Sequence, residues 1–232
     1  MHTTETYRPK APFEEGKIYY DGKNHIYGLK SEIAVLAKKP HYCLFAARHS
    51  VGSQHDYEYH RTIYQTYLPY LRKLPPEHLQ LPSDMQSNFW AVAKAYTGAP
   101  SDTPDLRRII PKKGHLSAAE HAQSETLKRI RVPVEQFFGR LTRAWGVMQN
   151  VYRWDHANFD IDFENACFLT NELIQQNDLA TADAVFYRKF LNERVQKATE
   201  HEKKRKAQLE NYASRKRRRR VQDDVAGVAI AM

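Results

Sequence analysis

Several absences narrow this sequence before any motif is read. No window approaches the roughly 18 uninterrupted apolar residues that a membrane-spanning helix needs, and residues 1–10 lack the apolar core of a secretory signal. Cysteine is nearly missing. Cys43 and Cys167 stand far apart in apolar surroundings without metal-knuckle spacing, which points to buried thiols of a reducing compartment rather than a disulfide framework. None of the 11 histidines forms the H-E-x-x-H pair of a helical zinc protease, and His49, His55 and His60 are spaced for neither one helix face nor a known metal pattern. The Gly-rich loops that cradle nucleotide phosphates, GxxxxGK(S/T) and GxGxxG, do not occur, and neither does the G-x-S-x-G elbow of a hydrolase. No internal repeat is visible.

What is present is globular. At 232 residues, 41% hydrophobic and 12% aromatic, the chain can bury one real core and carry an extension. Its net charge of +9 is uneven: residues 178–232 hold 14 Lys/Arg against 8 Asp/Glu, so they supply 14 − 8 = +6 and leave +3 for the first 177. Basicity is therefore a property of the tail, and it predicts polyanion contact or nuclear targeting rather than a basic folded surface.

Along the chain, residues 1–16 read as a polar, extended lead-in with Pro9 and Pro12. Residues 26–37 alternate and then run apolar, as a strand does on entering a core, and with Tyr42 to Ala47 they predict an antiparallel hairpin across Lys38-Lys39-Pro40. Asp56 to Lys73 suits an amphipathic helix that Pro69 must bend or end, with Asp56 as its cap. His78 to Leu81 is a short strand candidate delivering Ser83-Asp84, and residues 98–114 form a loop. Ser117 caps a helix reaching Arg131, with Glu120 completing a capping box. Pro133 then opens a second helix, residues 134–149, since proline is pre-set for a first turn. A third helix, residues 161–175, is apolar on Ile161, Phe168, Leu169 and Leu173, and a long charged helix spans residues 180–220.

On the helix after Pro133, Val134, Phe137, Phe138, Leu141, Trp145 and Met148 share one face by their 3/4 spacing. Glu135 falls on the rim of that face, in line with Gly139, Thr142 and Gly146, where small residues let a backbone or ligand come close. Two readings stand side by side for Glu135: a first-turn acid stabilised by the helix dipole, or a functional carboxylate.

The stretch from Arg131 to Leu141 (RVPVEQFFGRL) resembles the R-x-x-VE-x-x-FG-x-L signature of the PIF/Harbinger-type DDE transposases, the DDE superfamily endonucleases. The likeness continues through Trp145, Tyr152-Arg153-Trp154 and Cys167-Phe168-Leu169-Thr170-Asn171, which is similar to the family's C-x-LTN helix. Upstream, Arg8-Pro9, Tyr20-Asp21-Gly22-Lys23, Tyr27-Gly28-Leu29-Lys30-Ser31-Glu32, Gly52-Ser53-Gln54-His55-Asp56 and Ile110-Pro111-Lys112-Lys113 match family stretches in the same order. The resemblance spans residues 8–175.

It implies an α/β fold, an RNase H-like mixed sheet flanked by helices, followed here by a long charged C-terminal helix. It also implies three acidic residues holding two divalent ions, Mg²⁺ or Mn²⁺, for attack on a DNA phosphodiester, because such ions favour hard carboxylate oxygens. The third acid maps to Glu135 and the second to Asp84, which lies 135 − 84 = 51 residues earlier. The family's D-K-G-Y reads Asp84-Met85-Gln86-Ser87 here, so Asp84 also fits a turn or cap residue. The first acid's place falls about eight residues before Arg8-Pro9, at or before Met1, where Met1 and His2 are not carboxylates. The expectation is a domain over residues 1–177 truncated at its N-terminus, with its first central strand short or missing and its nuclease activity impaired. Residues 178–232 form a charged extension. The basic clusters Lys203, Lys204, Arg205, Lys206 and Arg215, Lys216, Arg217, Arg218, Arg219, Arg220 suit a nuclear localisation signal read by an import receptor, a phosphate-binding arm for DNA, or simply a solvated helix end. A rival reading is a domesticated or decayed transposase fragment that binds DNA or protein without catalysis.

Overall fold

The polar opening of the chain is not a lead-in. Residues His2–Glu5 form a buried strand, β1, in a computed structural model that describes residues 2–6, 16–76, 92–93, 108–109 and 116–230. Two compact units, Met1–Phe190 and Leu191–Met232, make up the chain and are treated separately below.

In the first unit, β1 pairs antiparallel with β3 (Ile26–Ser31), His2 facing Ser31 and Glu5 facing Gly28. β3 also pairs with β2 (Tyr20–Asp21) and β6 (Ser50–Val51), so it is the centre of this four-stranded sheet. β1 is thus short but present. Its free side is partly occupied, because the Tyr152 N–H donates to the Glu5 carbonyl at 2.7 Å and Tyr152 bridges Thr6 in parallel. This helps answer the backbone deficit expected of a truncated strand. The side chains fare worse: the buried hydroxyls of Thr4, Thr6 and Ser31 have no hydrogen-bond partner among the described residues. The pairing is tight at Gly28, where a Cβ would come 2.5 Å from the Thr4 carbonyl oxygen.

The expected hairpin is a separate two-stranded ribbon. The apolar run of residues 26–37 breaks at Glu32, and β4 (Ile33–Val35) then pairs with β5 (Cys43–Ala46). Helix α1 (Asp56–Tyr67) ends just before Pro69, whose ring lacks the N–H a further turn would use, and the chain continues as a 3₁₀ turn over Leu68–Leu71. Its cap is His55, whose imidazole accepts from the Tyr57 N–H, rather than Asp56. A further pair, β7 (Val92–Ala93) and β8 (Arg108–Ile109), runs parallel. The predicted strand at residues 78–81 and Asp84 lie outside the described residues.

Helix α2 (Ala118–Ala144) starts as expected, with Ser117 and Glu120 forming a reciprocal capping box. It does not stop at Arg131. Pro133 sits inside it, buried, so the two expected helices are one; the proline removes a single N–H from the ladder while the helix continues through the core. Glu135 is consequently mid-helix, and the first-turn dipole reading falls away. Phe137, Phe138 and Leu141 are buried on the predicted face, and Met148 follows on the short α3 (Gly146–Gln149) after Trp145 turns extended.

Helix α4 (Phe159–Gln176) corrects the expected orientation. It buries Phe159, Phe163, Ala166, Cys167, Thr170 and Ile174 and leaves Ile161, Phe168 and Leu169 exposed. Helix α5 is assigned over Thr181–Ile230, and its first residues, through Ala184 and Tyr187, complete the core of the first unit. The second unit is helical from Leu191 to Ile230, and residues 203–217 are all exposed. Among the described residues, no helix is long and apolar enough to cross a membrane.

Candidate functional site

Glu135 projects from the part of α2 that meets the start of β1 and the start of α5. One turn beyond it, Phe138 stacks on the His2 ring at 5.2 Å and on Tyr187 at 5.6 Å. The carboxylate, 35% exposed, is held by Arg188: Nη2 and Nε donate to Oε2 at 2.6 and 2.8 Å. Both bonds fall on one oxygen. In kind, Glu135 is a hard oxygen donor of the sort a divalent cation takes, partly exposed and near β1, but the Arg188 guanidinium on Oε2 competes for it and would have to move aside for an ion to bind there. Among the described residues it stands alone, since no group of three His, Cys, Asp or Glu side chains is arranged to hold a metal ion. Asp84, the other expected ligand, is not among the described residues.

The rest of the Glu135 signature is engaged in holding α5 onto α2. A Cβ at Gly139 would lie 2.0 Å from the Asp183 carbonyl oxygen, so only glycine lets the first turn of α5 approach this closely. Arg140 donates to both Asp183 carboxylate oxygens, at 3.3 and 2.9 Å, and to the carbonyls of Asn177 and Asp178, each at 3.1 Å. Arg143 adds a 3.0 Å contact to Asp183, whose side chain is 1% exposed. Arg140 is therefore a clamp on the turn entering α5, a role that its place in a motif does not disclose.

The upstream motifs also converge, on a buried ion cluster beside the sheet. Lys30 lies 3.1 Å from Asp56 and 3.8 Å from Asp21, and donates to the Gln54 carbonyl. Burial alone would raise the Asp21 carboxyl, but hydrogen bonds from Thr3 and Asn24 and the Lys30 charge hold it below its ordinary 3.8. Glu32 accepts from His60, both buried, at 3.1 Å. Gly52 has the Tyr19 carbonyl where a Cβ would stand, 2.1 Å away. At the other end of the fold, Asn171 of the C-x-LTN helix pairs with the backbone of Cys43 as a strand would, accepting from its N–H and donating to its carbonyl, each at 2.8 Å. Thr170 accepts from the Trp145 indole at 2.9 Å. Cys43 and Cys167 are free and buried, and burial followed by the adjacent Cys43 pushes the Cys167 thiol well up.

A second polar group lies near β6. His49 meets Asp160 through both its N–H and its ring, at 2.6 and 2.9 Å, and burial together with His49 lowers His156. These bonds tie the chain after β5 to the first turn of α4. In the second unit, Lys203, Lys204, Arg205, Lys206, Arg215, Lys216 and Arg217 are exposed, while the side chains of Arg218, Arg219 and Arg220 are outside the described set.

Comparison with known proteins bears on this arrangement directly. The model of the DDE superfamily endonuclease family matches residues 3–171, which takes in β1, the ion cluster, Glu135 and Asn171. No curated protein and no solved structure matches the chain. The mixed α/β architecture, with its small antiparallel sheets, is compatible with such a nuclease, and with the match covering most of its length the chain belongs to the DDE superfamily endonucleases.

Proposed function

We propose that this chain is the nuclease domain of a PIF/Harbinger-type transposase with an RNase H-like fold, acting on DNA through residues 1–177, with residues 178–232 as a charged extension. The observation that carries this reading is the position of Glu135. The signature around it resembles the family's third-acid motif and lies within the matched residues, and its partly exposed carboxylate, held by Arg188, lies one helical turn from Phe138, which stacks on His2 of β1. Glu135 and Asp84 would be the metal ligands. Bound Mg²⁺ or Mn²⁺ would supply the chemistry, activating water or a 3′-hydroxyl and stabilising the leaving oxygen of the phosphodiester.

What the chain's own residues contribute is position and charge. Gly139 and Arg140 fix α5 against α2, and Arg188 neutralises Glu135 so that the carboxylate does not stand uncompensated near an aromatic cluster. His2 is packed among Phe138, Tyr187 and Phe190 and adds no carboxylate beside Glu135, so weak metal binding and slow cleavage are expected. The basic clusters, exposed from Lys203 to Arg217, favour contact with DNA phosphates and recognition by a nuclear import receptor. Metal-dependent nicking of supercoiled plasmid tests the proposal. Slow cleavage with Mn²⁺ or Mg²⁺, abolished in Glu135→Gln, is the expected result; cleavage untouched by Glu135→Gln would refute the assignment.

A further inference from the structure

The exposed face of α4 leads to a second surface. Ile161 and Leu169, on the stripe that the sequence marks as apolar, are 61% and 50% exposed, and Trp154 beside them is 59% exposed. Together with Trp145, Asp162 and Asn165 they line a groove of about 460 Å³, a volume typical of binding pockets. Phe168, also exposed, extends the apolar surface along the helix. A monomer has no reason of its own to gather two tryptophans and three large aliphatic or aromatic side chains at an open groove, and contiguous apolar surface of this kind marks an interface.

The charge around it identifies the class of partner. Residues 150–177 contain five acids (Asp155, Asp160, Asp162, Glu164, Glu172) and one Arg/Lys, Arg153, so this segment carries 1 − 5 = −4 in a chain of +9. Helix α4 itself has four acids and no lysine or arginine. Of the five acids, Asp162 lines the groove and Glu164 and Glu172 are exposed on the same helix, whereas Asp155 and Asp160 are engaged by Ala157 and His49. The acids near the groove disfavour phosphates and favour cationic side chains placed beside an apolar anchor.

We infer that the Trp145–Trp154–Leu169 groove docks a basic amphipathic segment of a protein partner. Leucine- or aromatic-type anchors enter between Trp154 and Ile161, and lysines or arginines lie along Glu164 and Glu172. The site is separate from Glu135 and does not rest on the nuclease reading.

The test uses the full chain and a labelled synthetic amphipathic leucine–lysine peptide, with its leucine–glutamate counterpart as control, read by fluorescence anisotropy. Because the basic tail attracts the glutamate peptide, the informative quantity is the change on substitution. Ile161→Ser and Glu164→Lys/Glu172→Lys alter exposed side chains and leave the helical circular dichroism intact. Each weakens the lysine peptide by about ten-fold or more, equivalent to about 1.4 kcal/mol, and Ile161→Ser leaves the glutamate peptide's affinity unchanged. Lysine-peptide binding that survives both variants overturns the assignment. So does a wild-type chain that sediments as a dimer and dissociates on Leu169→Ser, since the groove would then seat a second copy.

Discussion

Asp21 shows how a motif residue can be structural and still electrostatically tuned. Its carboxylate is 1% exposed and is met by the Thr3 hydroxyl at 2.8 Å, the Asn24 amide at 2.6 Å, the Lys23 N–H at 3.0 Å and, further off, Lys30. These contacts favour the charged form more than burial opposes it, so the native pKa lies below the ordinary 3.8. The sign follows from linkage. A carboxyl lowered by folding contributes stability that is complete above its unfolded value and is lost as pH falls through the native one. Asp21→Asn is therefore expected to cost about 2–3 kcal/mol at neutral pH, with the difference from wild type narrowing below pH 4. Urea unfolding of both proteins at pH 7 and at pH 3 measures this. An equal gap at the two pH values would mean that shape rather than charge is what Asp21 provides.

At the scale of elements, the decisive junction is α2 with the start of α5. Arg140 and Arg143 both reach Asp183, but they are not equivalent: Arg140 is 13% exposed and also ties the Asn177 and Asp178 carbonyls, whereas Arg143 is 50% exposed. Removing a buried partner strands a buried carboxylate, while an exposed partner is largely replaced by water. Arg140→Ala should destabilise by about 3 kcal/mol and Arg143→Ala by under about 1 kcal/mol, measured as shifts in the denaturant midpoint. Comparable losses from the two would show that the clamp has been located wrongly.

The same elements show what the sequence could disclose. The capping box at Ser117, the buried stripe of Phe137, Phe138 and Leu141, and the breaking of α1 near Pro69 follow from local chemistry and were legible. Pro133 was not, because a proline pre-set for a first turn is also tolerated inside a helix already nucleated upstream and packed into a core. The buried face of α4 could not be read because Ile161, Phe168 and Leu169 are as apolar as the residues that are buried; only the partners across the fold, such as Cys43 for Asn171, decide which stripe turns inward. β1 was expected only as a short or missing strand because His-Thr-Thr-Glu reads as polar surface; its burial comes from β3 and Tyr152, which enclose it. Around the proposed site, the signature drew attention to Glu135 but could not disclose its partner Arg188, 53 residues on and in no motif.

For the molecule as a whole, two charge patterns are set in different places. The positive excess is concentrated beyond residue 177, on a helix exposed throughout residues 203–217, and the folded unit carries a local negative segment over residues 150–177. On the readings proposed above, the tail would meet DNA phosphates and α4 a basic protein segment, with Glu135 serving neither. The central claim is that Glu135 and Asp84 serve the same cation. Electron paramagnetic resonance of Mn²⁺ titrated into the wild-type chain, Glu135→Gln and Asp84→Asn tests it most directly, free of any requirement for turnover. Both substitutions should abolish the same bound signal. Loss in Glu135→Gln with binding unchanged in Asp84→Asn would contradict the account.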